Sequence, residues 1–354
     1  MYTDKIQINN RFFSLEEIQY KIQNEKLHDW DKGIYEFILN WFSEFDFILQ
    51  QTSGSTGKPK EIKLKKSAMI ASAKRTIRFF GLKENDTSWL CLPINYIAGK
   101  MMVVRAIIGS LNLIIAEPEG MPQIPVQEIN FTAMVPMQVQ NLLNANANFN
   151  PIKKLIIGGA ATDSTLLEKL QNISTEVYAT YGMTETCSHI ALQRLNGKHS
   201  EKNFKLLPNI SIRQNNESCL VIDAPDLSEN SIETSDVVEI ISDREFKILG
   251  RADNIINSGG IKISPEQLEN EISKILKKDF LIVPEKDDLL GQKIVLVLEG
   301  KKDKSLAEEI LNKLKSNLSK HHTPKAVYFI NEFPRNASMK IDRKKVIKLL
   351  VINQ

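Results

Sequence analysis

Short apolar segments with strand character alternate with helical segments from about residue 66 onwards. Residues 67–80 and 98–109 have the pattern of helices. Strands are predicted at the apolar runs 87–93, 111–117, 131–136, 153–159 and 176–182. Such runs, rich in β-branched residues and separated by helices, indicate a sheet buried on both faces, and therefore an α/β core. Ligands of such sheets bind at the carboxyl ends of the strands, where Gly158-Gly159 and Tyr181-Gly182 fall.

The pattern changes after about residue 250. Ser264 suits an N-cap, Pro265 the first helical position and Gln267 the third, so a helix is expected to begin here. Leucines and isoleucines between 306 and 318 mark another helix, and strands are predicted at 280–284, 293–299 and 327–330. This is a small α+β unit of ordinary domain size. We therefore expect two domains, residues 1–252 and residues 253–354.

The composition is that of an ordinary globular protein, with 354 residues, 42% hydrophobic and 25% charged. A net charge of +3 gives no support for a nucleic-acid partner, and none is expected. Cys91, Cys187 and Cys219 are odd in number and far apart, which favours a reducing compartment. The first ten residues lack the pattern of a signal peptide, and no apolar run reaches 18 residues, so a cytoplasmic location without membrane insertion is expected.

Residues 52–60, TSGSTGKPK, combine glycines, hydroxyl side chains and lysines in one short segment. Small residues let backbone N–H groups approach an anion, and the lysines add positive charge. The segment is not a Walker A loop, because Gly54 and Gly57 are only three apart and Lys58 is followed by proline. It predicts a phosphate-binding loop of another kind, and a solvated Ser/Gly turn is the alternative.

Three further clusters follow in the chain: YGMTET at 181–186, GRAD at 250–253 continuing to NSGG at 257–260, and NASMKIDR at 336–343. Each is weak alone. In this order, and together with 52–60, they resemble the adenylate-forming (AMP-binding) family of acyl- and aryl-CoA ligases, luciferases and peptide-synthetase adenylation domains. The resemblance implies a large N-terminal α/β domain with a small mobile C-terminal α+β domain. Only 51 residues precede Thr52, so an abbreviated N-terminal part is expected.

The family's chemistry implies activation of a carboxylic acid with ATP and Mg²⁺. Transfer to AMP converts a carboxylate, which is a poor electrophile, into a mixed anhydride with a good leaving group. Thr184 is implied to contact the α-phosphate, and Glu185 to hold magnesium through its carboxylate. The β- and γ-phosphates would be held by Thr52, Ser53, Gly54, Ser55, Thr56, Gly57, Lys58 and Lys60.

Further residues are implied to bind the nucleoside. Tyr181, followed by Gly182, would stack on adenine, and Asp236 would accept hydrogen bonds from both ribose hydroxyls. Arg251 would reach the ribose or a phosphate. The opposite wall of the adenine site would be formed by Gly159, Ala160 and Ala161.

The small domain is implied to serve two steps in turn. Lys340 would bridge the substrate carboxylate and the nucleotide during adenylation, a task that suits a point charge on a flexible stem. Rotation about Asp253 would then withdraw Lys340 and bring Gly260 to the site, where glycine leaves room for the pantetheine arm of coenzyme A.

The segment LPINYIAG at 92–99 carries a hint about the acid. It resembles the L-P-L-x-H-x-S-G element of the o-succinylbenzoate–CoA ligases of menaquinone synthesis, a branch of this family. Tyr96 replaces the histidine, and Arg105 falls at the position of an arginine nine residues later. A second carboxylate on the substrate needs a cation, and bidentate pairing with arginine is the natural device. The alternative is that Arg105 is a structural ion-pair partner within a helix.

The expected partners are thus a small carboxylic acid, preferably o-succinylbenzoate, with ATP and coenzyme A. Two alternatives stay open. One is another acyl-activating enzyme that loads coenzyme A or a carrier protein. The other is a degenerate nucleotide-binding protein without catalysis, prompted by Met339, which stands where the family usually has glycine.

Overall fold

The computed structural model describes residues 5–51, 61–160, 162, 164–276, 278–335 and 341–352. The strands, numbered along the chain, are β1 (Lys5–Ile8), β2 (Arg11–Ser14), β3 (Phe47–Gln51), β4 (Glu61–Lys65), β5 (Thr87–Leu90), β6 (Asn112–Ile115), β7 (Phe131–Met134), β8 (Lys154–Ile157), β9 (Glu176–Gly182), β10 (His189–Arg194), β11 (Phe204–Leu206), β12 (Ser211–Gln214), β13 (Cys219–Asp223), β14 (Ile232–Ser242), β15 (Glu245–Arg251), β16 (Ile256–Ser258), β17 (Ile261–Ile263), β18 (Phe280–Asp287), β19 (Gly291–Glu299) and β20 (Val327–Ile330). The helices are α1 (Leu15–Asn24), α2 (Asp29–Trp41), α3 (Lys66–Phe80), α4 (Ile97–Gly109), α5 (Pro136–Asn144), α6 (Ser164–Leu170), α7 (Pro265–Ser273), α8 (Lys304–Asn317) and α9 (Arg343–Ile352), and a 3-10 turn spans Ala252–Asn254. Within these residues, no helix combines the length and the apolar character needed to cross a lipid bilayer.

Thirteen of the described strands form one large sheet, in the order β12-β13-β14-β15-β11-β10-β9-β8-β7-β5-β6-β1-β2. The central strands from β9 to β1 are parallel neighbours. Successive residues of β8 and β9 alternate between two hydrophobic cores: Ile156 and Tyr178 belong to one, Ile157 and Val177 to the other. The sheet is therefore buried on both faces, which confirms the predicted α/β core.

The antiparallel part of this sheet, β10 to β15, has no counterpart among the predicted elements. Strand β14 shows why: among its residues only Val238 is fully buried, and the others are partly or wholly exposed. A strand with one solvated face lacks the continuous apolar run that marks a parallel strand. Predicted strands also end early, β5 at Leu90 and β8 at Ile157, since Pro93 and Gly158 follow closely.

The middle of helix α4 is buried on all sides. Every residue of Met101–Ile107 is less than a tenth exposed, including the charged Arg105. The N-terminal end of the helix lies very close to the preceding turn: a Cβ placed on Gly99 would lie 2.3 Å from the carbonyl oxygen of Pro93. Only glycine permits this approach, so the packing of α4 depends on the loop that leads into it.

A second sheet occupies the C-terminal region, with the order β17-β16-β19-β18 and with β20 paired to β19. Helices α7 and α8 pack on one face and α9 on the other, so the predicted α+β character is observed. Ser264 caps α7 as predicted, and its hydroxyl also donates a 2.7 Å hydrogen bond to the Leu249 carbonyl oxygen of β15. The domain boundary at residue 252 stays a prediction.

Candidate active site

Two loops meet at the carboxyl edge of the parallel strands. Strands β8 and β9 are parallel neighbours in register from Lys154 and Glu176 onwards. The chain leaves β8 through Gly158, Gly159 and Ala160, and it leaves β9 through Gly182 and the following turn. The described residues of both predicted walls of the adenine site, Gly159 and Ala160 on one side and Tyr181 on the other, therefore lie at one edge of the sheet, where ligands of such sheets bind.

The turn after β9 is held by the buried side chain of Thr186. Its Oγ1 accepts a hydrogen bond from the Met183 N–H at 2.9 Å and lies 2.7 Å from the Ser188 carbonyl oxygen. Gly182 is required at the start of the turn, because a Cβ there would lie 2.2 Å from the Ser188 carbonyl oxygen. The turn is thus rigidly built, and Thr186 contributes to its structure.

Thr184 and Glu185 lie on the open side of this turn. Thr184 is half-buried and Glu185 is exposed. No hydrogen bond or ion pair within the described residues holds the Glu185 carboxylate. A free, exposed carboxylate suits Mg²⁺, which takes one or two protein carboxylates and completes its shell with phosphate oxygens and water. The described residues contain no group of three or more His, Cys, Asp or Glu side chains that could hold a metal ion.

Tyr181, Asp236, Arg251 and Asp253 form one hydrogen-bonded series. The Tyr181 hydroxyl donates to Asp236 Oδ2 at 2.6 Å, and Arg251 Nη1 donates to Asp236 Oδ1 at 3.0 Å. Arg251 Nη2 donates to Asp253 Oδ2 at 3.0 Å. Strand pairing of β14 with β15 places Asp236 directly opposite Arg251. The structure therefore brings together four of the residues predicted for the nucleotide site and the hinge.

The chemical state of this series follows from burial and charge. Burial raises the pKa of the Tyr181 hydroxyl, and the negative charge of Asp236 raises it further, so the hydroxyl stays a donor. The Tyr181 ring lies edge-on to Phe246, with 5.2 Å between the ring centroids. Each oxygen of Asp236 accepts one of these hydrogen bonds, and a carboxylate offers about four lone-pair sites in all, so acceptor capacity remains for ribose hydroxyls.

Tyr96 and Arg105 lie far apart on α4. Tyr96 is the partly exposed N-cap of the helix, whereas Arg105 is 1% exposed. Nine residues of helix separate their Cα atoms by about 13 Å, so the structure does not bring these two residues into contact. Within the described residues Arg105 has no ion pair, so the structural ion-pair alternative finds no support there.

Arg105 is held by neutral groups. Its Nη2 donates to Ser188 Oγ at 2.8 Å, its Nη1 lies 3.8 Å from Met102 Sδ, and its Nε has no partner in the described part of the chain. The guanidinium also lies over the Phe131 ring, 5.8 Å from the centroid. Burial lowers the pKa of Arg105 to about 9. No carboxylate among the described residues pairs with Arg105, and a buried guanidinium without such a partner is energetically costly.

Sequence reasoning missed three residues behind Arg105. Ser188 Oγ lies 3.3 Å from His189 Nδ1, and His189 Nε2 lies 3.1 Å from Thr76 Oγ1. Histidine and threonine are both fully buried. The only signal in the sequence is a histidine directly before the apolar residues Ile190, Ala191 and Leu192, and this pattern alone assigns no partner.

Several predicted site residues lie outside the described residues. They are the phosphate-loop residues 52–60, Ala161 and Lys340. The strands that flank the loop are described: β3 and β4 are antiparallel, and Gln51 pairs with Glu61. Gly260 is described, in the turn between β16 and β17, where its N–H donates to Asn257 Oδ1 at 3.1 Å. Its predicted role toward coenzyme A stays a prediction.

Comparison with known proteins gives the family. The model of the AMP-binding enzyme family matches residues 22–224, more than half of the chain. The chain belongs to the AMP-binding enzyme family. An acyl-CoA synthetase (AMP-forming)/AMP-acid ligase II-like protein from Dyadobacter fermentans is 33% identical, with a TM-score of 0.62, over 93% of this chain and 97% of that one. Membership of the family confirms the resemblance predicted from the four clusters.

Two other comparisons are with ligases that join succinylbenzoate to coenzyme A. A 2-succinylbenzoate–CoA ligase from Bacillus cytotoxicus is 27% identical over 84% of this chain and 69% of that protein. The o-succinylbenzoate coenzyme A synthetase from Bacillus subtilis, in complex with ATP and magnesium, has a TM-score of 0.71 and 21% identity over 84% of this chain and 69% of that one. At this identity the second comparison shows a shared AMP-binding fold.

Proposed function

We propose that this AMP-binding enzyme is a 2-succinylbenzoate–CoA ligase of menaquinone biosynthesis that acts in the cytoplasm. In the first step, a carboxylate oxygen of the acid attacks the α-phosphorus of ATP, the bond to the β-phosphate breaks, and pyrophosphate leaves. In the second step, the thiolate of coenzyme A attacks the acyl carbon and AMP leaves. The support comes from the curated relatives of that name and from the site at the carboxyl edge of β8 and β9.

The observation that carries the proposal is the Tyr181–Asp236–Arg251 series, followed four residues after Tyr181 by an exposed Glu185 whose carboxylate has no partner among the described residues. In the proposed site Tyr181 stacks on adenine and Asp236 accepts the ribose hydroxyls. Thr184 donates to the α-phosphate, and Glu185 offers an oxygen ligand to Mg²⁺. When bound, Mg²⁺ neutralises charge on the phosphates as pyrophosphate leaves. The fixed turn at 182–188 keeps Thr184 and Glu185 oriented before the nucleotide arrives.

The C-terminal residues 253–354 are proposed to act as a mobile domain that turns about Asp253. Arg251 donates to Asp236 on one side and to Asp253 on the other, so a change in the nucleotide site reaches the hinge through one guanidinium. The proposed roles of Lys340 in adenylation, of residues 52–60 in holding phosphates and of Gly260 in admitting coenzyme A complete the cycle.

Arg105 is proposed to bind the carboxylate of the acid that is not activated. The argument is electrostatic: a buried guanidinium without an anionic partner is unfavourable, and a carboxylate is the complementary anion. Because Arg105 is 1% exposed, this contact requires a local opening of the surrounding wall. Tyr96, about 13 Å along the helix, is proposed to line a more open part of the same pocket.

The test is pyrophosphate release from ATP with a panel of acids, followed by thioester formation with coenzyme A. The panel compares 2-succinylbenzoate, its analogue with one carboxylate replaced by hydrogen, benzoate and a short aliphatic dicarboxylate. We expect the highest kcat/KM with 2-succinylbenzoate and a loss of at least 10-fold for the monocarboxylate analogue. Preference for a monocarboxylate overturns the choice of acid, and release of pyrophosphate with none of the acids overturns the ligase proposal.

A further inference from the structure

We infer that Ser188, His189 and Thr76 form a hydrogen-bonded relay that positions the Arg105 guanidinium for the acid. The inference rests on the proposed function, because it assigns positioning residues to the acid pocket. It concerns residues in three separate places: Thr76 on α3, Arg105 on α4, and Ser188 and His189 where the turn after β9 enters β10.

The relay begins at the only close oxygen acceptor that Arg105 has among the described residues. Arg105 Nη2 donates to Ser188 Oγ at 2.8 Å. The other described contact, with Met102 Sδ at 3.8 Å, is weak, and Arg105 Nε has no partner in the described part of the chain. The direction of the guanidinium therefore depends on where the Ser188 hydroxyl is held.

The direction of each hydrogen bond follows from the chemistry of the groups. A guanidinium is donor-only, so Ser188 Oγ accepts from Arg105 and is free to donate its own proton to His189 Nδ1, 3.3 Å away. His189 Nδ1 must then be unprotonated, which places the ring proton on Nε2. Nε2 donates to Thr76 Oγ1 at 3.1 Å, and Thr76 Oγ1 donates to the Ser72 carbonyl oxygen at 3.2 Å.

The opposite tautomer satisfies fewer groups. With the proton on His189 Nδ1, the imidazole would donate to Ser188 Oγ, which already accepts from Arg105, and the serine proton would lack a described acceptor. Thr76 would have to donate to His189 Nε2, and its hydroxyl would no longer donate to the Ser72 carbonyl oxygen. The relay therefore requires a neutral imidazole that carries its proton on Nε2.

The surroundings of His189 favour the neutral ring. The guanidinium of Arg105 on α4 and that of Arg75 on α3 both act on His189, and the ring is almost completely buried. Burial and these two cations lower its pKa well below the usual value. Arg75 itself is paired with Asp226. A third cation at this place would be strongly disfavoured, so the imidazole remains an acceptor toward Ser188.

The test exploits the distance of Thr76 from the acid. Thr76→Val keeps the size of the side chain but removes the last hydroxyl, and Thr76→Ser keeps the hydroxyl. In the 354-residue chain we expect Thr76→Val to raise KM for 2-succinylbenzoate by about 5- to 10-fold, the effect of one lost hydrogen bond. KM for ATP should change less than 2-fold, and Thr76→Ser should recover most of the acid affinity.

A double-mutant cycle separates positioning from general damage. In an Arg105→Ala background the relay has no guanidinium to orient, so Thr76→Val should add little to KM for the acid. An equal effect of Thr76→Val with and without Arg105 would overturn the inference. Urea unfolding of the wild type, both single variants and the double variant gives the free energy of unfolding of each protein. A loss of stability caused by Thr76→Val is thereby measured separately from its effect on KM.

A spectroscopic measurement tests the tautomer directly. The ¹⁵N chemical shifts of histidine-labelled enzyme distinguish Nε2–H, Nδ1–H and the imidazolium, and a His189→Asn sample identifies the signal. We expect the Nε2–H form at neutral pH; either other form overturns the relay. If the wild type activates no dicarboxylate in the acid panel, the proposed function is overturned. The tautomer of His189, measured independently, still shows whether the hydrogen-bonded relay exists.

Discussion

The role of Tyr181 can be divided between its ring and its hydroxyl, and the two parts predict different losses. The ring lies edge-on to Phe246 and is proposed to stack on adenine, whereas the hydroxyl donates to Asp236 Oδ2 at 2.6 Å. Tyr181→Phe removes the hydroxyl alone, and Tyr181→Ala removes both. Comparison of these variants therefore tests whether adenine binding depends on the ring.

The expected losses follow from the contacts. In Tyr181→Phe, Asp236 keeps its bond from Arg251, and its side chain is 16% exposed, so water can replace the lost donor. The free energy of unfolding should fall by about 1–2 kcal/mol, and KM for ATP should change less than about 3-fold. Tyr181→Ala additionally loses stacking worth ~1–3 kcal/mol, which raises KM for ATP about 5- to 150-fold.

Two assays measure these quantities. Urea unfolding followed by circular dichroism gives the stability of the wild type and both variants, and pyrophosphate release at saturating acid gives KM for ATP. Equal increases in KM for the two variants would refute the stacking role and assign the effect to the hydroxyl. Unchanged KM in Tyr181→Ala would remove this residue from the nucleotide site altogether.

Four further predictions address other parts of the protein. Glu185→Gln removes one charge without changing size, so the Mg²⁺ concentration for half-maximal pyrophosphate release should rise about 10-fold or more. Lys340→Ala should abolish adenylation but spare thioester formation from a supplied acyl-adenylate, which single-turnover assays separate. Gly182→Ala forces a Cβ within 2.2 Å of a carbonyl oxygen and should lower the free energy of unfolding by about 1–3 kcal/mol, measured in urea. Cys91 and Cys187 should resist iodoacetamide at pH 8 in the native protein, because burial raises the pKa of both thiols to about 12, and mass spectrometry checks this against the urea-unfolded protein.

Each of these predictions has a contrary result. An unchanged Mg²⁺ requirement would remove Glu185 from the metal site, and equal loss of both half-reactions would contradict the assignment of Lys340 to adenylation alone. A stable Gly182→Ala variant would show that the turn can move away from β10. Rapid alkylation of the native thiols would indicate that the two cores open on the timescale of the reaction.

Helices and strands were predicted correctly where the residues that determine them are neighbours in the sequence. The Ser264-Pro265 start of α7 is recognisable because the cap and the first-turn residues lie next to each other in the chain. Helices α3 and α4 and the parallel strands β5 to β9 were predicted for the same kind of reason, since each forms a short apolar run or a helical repeat. Strand β14 escaped prediction because its apolar residues are interspersed with polar ones on a half-exposed sheet.

Contacts between distant residues were beyond sequence reasoning alone. Tyr181, Asp236 and Arg251 were each predicted by family resemblance, but nothing local indicates that the first donates directly to the second across 55 positions. The pairing of Arg105 with Ser188, 83 positions away, and the position of His189 behind it depend on how α3, α4 and the turn before β10 come together. Tertiary packing decides such contacts, and one sequence does not contain them as a pattern.

The candidate acid contacts lie at the start and on the buried middle of α4, apart from the proposed nucleotide contacts. Acid specificity and nucleotide chemistry are therefore expected to change independently in evolution. Nucleotide contacts are proposed on β9, in the turn that follows it, on β14 and β15 and in residues 52–60, whereas the candidate acid contacts of α4 lie within one continuous segment, residues 92–105. A lineage could therefore exchange this segment to accept a new acid while it kept its nucleotide chemistry. The close approach of Gly99 to Pro93 limits that freedom, because loop and helix fit only as a pair and must be inherited together. Segment exchange between relatives should therefore succeed only when the junctions fall before residue 92 and after residue 109.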